Sequence, residues 1–144
     1  MTTNLELDKK LLNVKEFLGT FSCDTIPKIN NFPSSFIVNT QPSGKGGEHW
    51  VAIYINKDRK GEYFDSYGFK PLNKEFNLFL KNNCNGFIYN GSMLQGLTSI
   101  TCGEYCVLFI YLKSLNFSLH KIIKLFTNNQ IINDEIIKCY YEFI

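Results

Sequence analysis

Two rhythms of apolar and polar positions run along this chain. Near its start, Leu5, Leu7, Leu11, Leu12, Val14, Phe17 and Leu18 recur among charges at close to helical spacing. That spacing predicts an amphipathic helix ending near Gly19. A loop marked by Pro27, Asn30, Asn31 and Pro33 follows, and the short apolar run Phe36-Ile37-Val38-Asn39 predicts a strand. After a turn-rich stretch, Pro42-Ser43-Gly44-Lys45-Gly46-Gly47, the segment from His49 to Ile55 reads as a buried strand. Residues 56–61 form a turn and Glu62-Tyr63-Phe64-Asp65-Ser66 a second strand, so the pair predicts a β-hairpin. A helix is expected from Pro71 to Leu80, beginning at the proline, with Leu72, Phe76, Phe79 and Leu80 on its inner face. Gly86 to Tyr89 is a third strand candidate. Beyond a loop at Gln95-Gly96, Cys102 to Leu115 is apolar and long enough for a buried helix. Two more helices fit residues 118–126, with Ser118 as N-cap, and 131–143.

This order of elements predicts an α+β fold, a small central antiparallel or mixed sheet flanked by helices. No repeat, low-complexity tract or linker divides the 144 residues, so a single domain over residues 1–144 is expected. Hydrophobic residues at 44% and aromatics at 15% place the chain among globular proteins. A net charge of +2 and a single arginine, Arg59, supply little for phosphate recognition, so nucleic-acid binding is expected to be weak or absent. The N-terminal residues carry no signal core and no window approaches the roughly 18 apolar residues of a membrane span. The five cysteines, Cys23, Cys84, Cys102, Cys106 and Cys139, include no Cys-x-x-Cys pair. With two isolated histidines this argues against a zinc site, and no other cofactor is indicated. The expectation is an intracellular or virion-packaged monomer with free thiols.

Chemistry concentrates at four positions. Cys102 opens the apolar helix, where backbone N–H groups and the helix dipole favour a thiolate. Gly103 beside it leaves room for a substrate carbonyl. His49 starts a strand directly after a glycine-rich loop, where a base can meet solvent. Asp65 ends the neighbouring antiparallel strand, sixteen residues on, and so is expected at the same end of the sheet. There its carboxylate would accept the Nδ1–H of His49 and orient the ring. Gln95 precedes Cys102 by seven residues and, with the Cys102 backbone N–H, would line an oxyanion hole. Trp50 is the only tryptophan and would either wall the approach to Cys102 or pack in the core. Each residue also has an ordinary structural explanation: buried thiol, strand-end histidine, turn aspartate, loop glutamine. Cys106 reads as core and His120 as solvated.

Gly46-Gly47-Glu48-His49-Trp50, Tyr63-Phe64-Asp65-Ser66-Tyr67-Gly68 and the run from Gln95-Gly96 through Cys102-Gly103 resemble the adenovirus protease (adenain) group, related to the ubiquitin-like-protein proteases. The resemblance covers about residues 36 to 115. It implies a papain-like (adenain-type) cysteine endopeptidase fold with chain order His-Asp-Gln-Cys. Cys102 would be the nucleophile, His49 the base and later acid, Asp65 the orienting carboxylate and Gln95 an oxyanion donor. Trp50 would roof a channel that favours glycine. The implied substrates are viral or transposon precursor proteins cut at Gly-Gly or Gly-x-Gly sites. An isopeptidase acting on a ubiquitin-like modifier is the alternative, and a catalytically silent binding module a third. Cys84 stands where the resemblance suggests a disulfide partner for an activating peptide.

Overall fold

The computed structural model describes residues 1–45 and 49–144, so Gly46, Gly47 and Glu48 of the first motif lie outside the described residues. In chain order the elements are α1 (Asn4–Lys10), β1 (Phe17–Ser22), β2 (Ser34–Asn39), β3 (Trp50–Ile55), β4 (Gly61–Phe64), α2 (Lys74–Asn83), β5 (Phe87–Tyr89), α3 (Cys102–Ser114), α4 (Leu119–Ile123) and α5 (Gln130–Phe143). The strands lie side by side in sequence order. The outer pairs β1/β2 and β4/β5 are parallel, and β2/β3 and β3/β4 antiparallel. The fold is α+β with a mixed sheet.

Alternation along the central strands sends side chains to two faces. Ile37, Ala52 and Phe64 face α3 and share a core with Leu7 and Leu11 and with Leu119, Ile122 and Ile137 of the last two helices. Phe36, Val38, Val51, Ile53, Ile55 and Tyr63 face the other way, against Phe76 and Leu80 of α2. Helix α3 is buried along ten of its thirteen residues, so its apolar run has no polar face to show. The exception, Lys113, is neutralised at its far end by Glu62 of β4 at 2.9 Å. Among the described residues no helix is long and apolar enough to cross a membrane.

Several element bounds differ from those expected. The first helix runs only from Asn4 to Lys10, set by a Thr3–Glu6 capping box. Phe17 to Ser22, expected in that helix or just beyond it, forms β1 instead. Phe17, Thr20 and Phe21 suit a pleated surface better than a helix, and the fully buried β2 needs a partner along its free edge. Leu7 and Leu11 of the predicted apolar stripe are buried in the core and Val14 and Phe17 pack against it, while Leu5 and Leu12 are exposed. Helix α2 begins at Lys74 rather than at Pro71. Asn73 caps it by accepting the Phe76 N–H at 2.9 Å, which leaves Leu72 outside the helix and exposed. The second strand of the hairpin ends at Phe64, so Asp65 opens the following turn.

Candidate active site

The hairpin register fixes the first two groups. Ala52 of β3 stands opposite Phe64 of β4, so His49, just before β3, and Asp65, just after β4, arrive at one end of the sheet. There His49 Nε2 lies 2.8 Å from Asp65 Oδ1. Cys102 opens α3 beneath them, and its Sγ accepts the backbone N–H of Trp50 at 3.5 Å. The pairing nitrogen is therefore Nε2 and not the expected Nδ1. The sulfur sits against the peptide next to His49, and the imidazole is hydrogen-bonded to Cys102 as well as to the carboxylate. Burial pushes the imidazolium down. Hydrogen bonds and charge from Asp65 and Cys102 push it up further, and the result is a pKa raised to about 9 from 6.5. The net effect of these contacts favours the protonated ring.

Asp65 is itself tightly held. Its Oδ1 also accepts the Tyr67 N–H at 2.8 Å, and its carbonyl accepts the Gly68 N–H at 2.7 Å. The side-chain amide of Asn90 pairs with the Asp65 peptide as a neighbouring strand would, accepting its N–H at 3.1 Å and donating to its carbonyl at 2.7 Å. Tyr67 stacks on the imidazole with ring centres 4.7 Å apart. Gln95 is 1% exposed. Its Oε1 accepts the Ser66 hydroxyl at 2.5 Å and its Nε2 donates to the Ser99 carbonyl at 3.0 Å, which uses one of the two amide hydrogens. The backbone N–H groups of Leu94 and Gln95 both donate to the Ser66 carbonyl. The loop leading into α3 is thus pinned to the residue after Asp65, and His49, Asp65, Gln95 and Cys102 converge on one end of the sheet. The roles of Asn90 and Tyr67 were not read from the sequence. Tyr67 lies within a quoted motif, whereas Asn90 carries no signal beyond an Asn-Gly turn.

Comparison with known proteins bears on this geometry. The family model described as adenovirus endoprotease matches residues 17–137. This chain belongs to the adenovirus endoprotease family. Relatives in that family include the protease of bovine adenovirus 7, 32% identical over an alignment 110 residues long that covers 66% of this chain and 54% of that protein. The protease of snake adenovirus serotype 1 is 30% identical over 128 residues, 78% of this chain and 64% of that one. The matched region thus spans between about half and two-thirds of these relatives. Among solved structures, the ASFV pS273R protease superposes with a TM-score of 0.66 at 20% identity, covering 99% of this chain and 66% of that chain. The central domain of the Lpg1148 protein of Legionella pneumophila superposes at 0.52 and 15% identity, covering 88% and 83%. At those identities both likenesses speak to the fold.

Other residues singled out for an adenovirus-endoprotease site take different places. Trp50 is in the core cluster with Cys102, and its indole N–H donates to the Thr2 carbonyl at 3.0 Å. The space beside Gly103 is not left for a substrate. A Cβ there would stand 3.0 Å from Leu7, 3.3 Å from Thr2 and 3.4 Å from Trp50, so the missing side chain makes room for the chain's own N-terminal segment. That segment is held by the Thr2 hydroxyl donating to Glu104 at 2.7 Å. A cleft of about 470 Å³ is lined by Thr2, Asn39, Gln41 and Trp50 but by none of the four site residues, whereas one of about 310 Å³ is lined by Gln41, His49, Asp65 and Tyr67. Cys84 caps α2 against Gly61, at the opposite end of β4 from Asp65, and burial pushes its thiol up. It is not brought to the site. Cys106 lies fully buried in the core one turn beyond Cys102, and His120 is exposed on α4.

Proposed function

We propose that this chain is a cysteine endopeptidase, with Cys102 as nucleophile, His49 as base and acid, Asp65 as the orienting carboxylate and Gln95 as an oxyanion donor. The observation that carries the reading is one imidazole held between a buried carboxylate at 2.8 Å and the thiol that opens a helix. Cys102 Sγ attacks the scissile carbonyl carbon, and the negative charge that develops on its oxygen is met by the Cys102 N–H and the Gln95 amide. The His49 imidazolium then gives its proton to the leaving amine, which departs and leaves an acyl-thioester. A water, deprotonated by the now neutral ring, attacks that thioester and releases the acid and the thiol. The likeness of the site motifs to those of the adenovirus proteases supports viral precursor proteins cut at Gly-Gly or Gly-x-Gly sites as substrates. An activating peptide joined through Cys84 would act from the far end of β4, not by touching the site.

Fluorogenic peptides with Leu-x-Gly-Gly ends or internal Gly-x-Gly sites test this under reducing conditions, with C-terminally tagged ubiquitin and a ubiquitin-like modifier alongside. Cleavage that favours the peptides supports precursor processing. Cleavage confined to the tagged modifiers replaces it with the isopeptidase reading, and no cleavage together with no reaction of Cys102 with an electrophile leaves a silent fold.

The charge state of His49 gives a second test. Turnover of an amide needs the imidazolium as acid, so kcat/KM is expected to fall as pH rises through about 9. Asp65→Asn removes a group that raises that value, so the alkaline limb should move to lower pH while activity drops roughly tenfold to a thousandfold. An unmoved alkaline limb would remove Asp65 from the assignment. The same raised pKa links to stability. The stabilisation is fully present below the unfolded value near 6.5 and is lost as pH rises through about 9.

A further inference from the structure

Asp134 is a buried carboxylate that none of the four site roles uses. It projects from α5 and is 8% exposed. Its Oδ2 accepts the backbone N–H of Gly96 at 3.1 Å, and its Oδ1 accepts the hydroxyls of Thr101 at 3.1 Å and Tyr105 at 2.9 Å. Gly96 follows Gln95, Thr101 precedes Cys102, and Tyr105 lies one turn into α3. A single carboxylate therefore straddles the loop that carries the Gln95 amide and the helix start that carries the sulfur. Burial, reinforced by Asp134, pushes the Tyr105 hydroxyl well above its ordinary range, so it remains a donor at any working pH. Three donors on one buried anion offset the cost of taking it out of water.

The neighbours of Asp134 on α5 read the same loop. Asn133 donates to the Leu94 carbonyl at 3.1 Å, and Gln130 to the Met93 carbonyl at 3.1 Å. Gly96 is the residue this approach requires, because a Cβ there would stand 2.8 Å from Asp134 Oδ2.

We propose that Asp134 is a positioning residue for the hydrolysis proposed above, on which reading this inference rests: it fixes the Gly96 peptide, and with it the Gln95 amide, relative to the Cys102 backbone N–H. The carboxylate acts through the loop and touches no reacting atom. Asn at this position keeps the volume but loses acceptor capacity, and its NH2 would confront the Gly96 N–H or hold off one of the hydroxyls. An oxyanion hole loosened in this way binds the tetrahedral intermediate less well, while substrate binding and the thiol's own reactivity are spared.

The test compares wild type with Asp134→Asn in three measurements: kcat and KM on a fluorogenic amide, the rate of Cys102 alkylation by iodoacetamide, and Tm. Alkylation displaces iodide at a saturated carbon and forms no oxyanion. The expected result is kcat lower by about tenfold to a hundredfold, with KM within threefold and alkylation within twofold of wild type. Unchanged kcat in the folded variant overturns the proposal, as does a parallel fall in kcat and alkylation. If Asp134→Asn does not fold, Thr101→Val removes one donor from the carboxylate and is expected to show the same split at about threefold to tenfold. The absence of a split there overturns the proposal too. A wild type without turnover that depends on Cys102 sinks the peptidase reading and this inference together. An active wild type with an indifferent Asp134→Asn sinks this inference alone.

Discussion

Replacing Cys102 by alanine is expected to abolish turnover while leaving the fold standing. The side chain is 2% exposed and packs at the start of α3. Alanine keeps the helix start and removes one sulfur atom, a small large-to-small change costing about 1 kcal/mol. The chemical loss is of another order. No neighbouring group can replace the sulfur. Cys106 is wholly buried one turn on, its thiol pushed well above the ordinary range by burial and by the charges of Cys102 and Asp65. Removing a nucleophile that works as a unit with its base costs roughly 10⁶-fold in rate. Steady-state hydrolysis and a thermal melt on the same sample decide the matter. Turnover within tenfold of wild type would dismiss Cys102 as the nucleophile.

Gly68→Ala is expected to be the most damaging single methyl group near the site. Gly68 has φ of +83°, and a Cβ on it would sit 2.6 Å from the Ser92 carbonyl carbon, 2.8 Å from its oxygen and 2.9 Å from the Met93 nitrogen. All three are backbone atoms, so no flexible side chain can swing aside. The left-handed conformation alone costs about 1–2 kcal/mol with a Cβ. Displacing the 92–93 backbone adds to it and pulls on the Leu94 and Gln95 N–H groups, which are bonded to Ser66. A loss of about 3 kcal/mol or more is expected, lowering Tm by roughly 10 °C, with a fall in kcat as Gln95 shifts. Gly44→Ala is the control. Its φ is also +83°, but no described residue lies within 4 Å of a Cβ there, so only the dihedral cost of about 1–2 kcal/mol remains. Calorimetry that finds the two variants equally stable would show that the crowding at Gly68 is relieved at no cost.

The parts of the site that lay open in the sequence were those set by local pattern. The alternating hairpin told which end His49 and Asp65 share, and the apolar run after Thr101 told that Cys102 opens a buried helix. The ring nitrogen that meets Asp65 was not legible, because it depends on which side of His49 the sulfur approaches, a matter of how α3 docks under β3. Gly103 was misread for a related reason: a glycine beside a nucleophile suggests space for a substrate, and the space is filled by Thr2 and Leu7, residues about a hundred positions away. Phe17 to Ser22 was lost as a strand because its leucine and phenylalanine spacing continues the stripe of α1, and only the free edge of β2 decides between them. Asn90 and Asp134 were invisible. Each is an ordinary polar residue, one just past β5 and one in the second turn of α5, and each acquires its role only through the groups it meets in the folded chain.

The span of sequence that the site draws on sets when it can exist. His49 and Asp65 come together across sixteen residues of hairpin, the sulfur arrives fifty-two residues after the Trp50 N–H that it accepts, and Asp134 reaches Gly96 from thirty-eight residues further on. Contacts so distant in sequence carry a loop-closure cost that only the assembled domain repays. During synthesis the ribosome delivers the acid–base pair first, the thiol later and the helix that steadies the oxyanion loop almost last. A chain still being made, or one cut short before α5, therefore carries its thiol without the Asp134 contact to Gly96 and is expected to fall short of the hydrolysis proposed above.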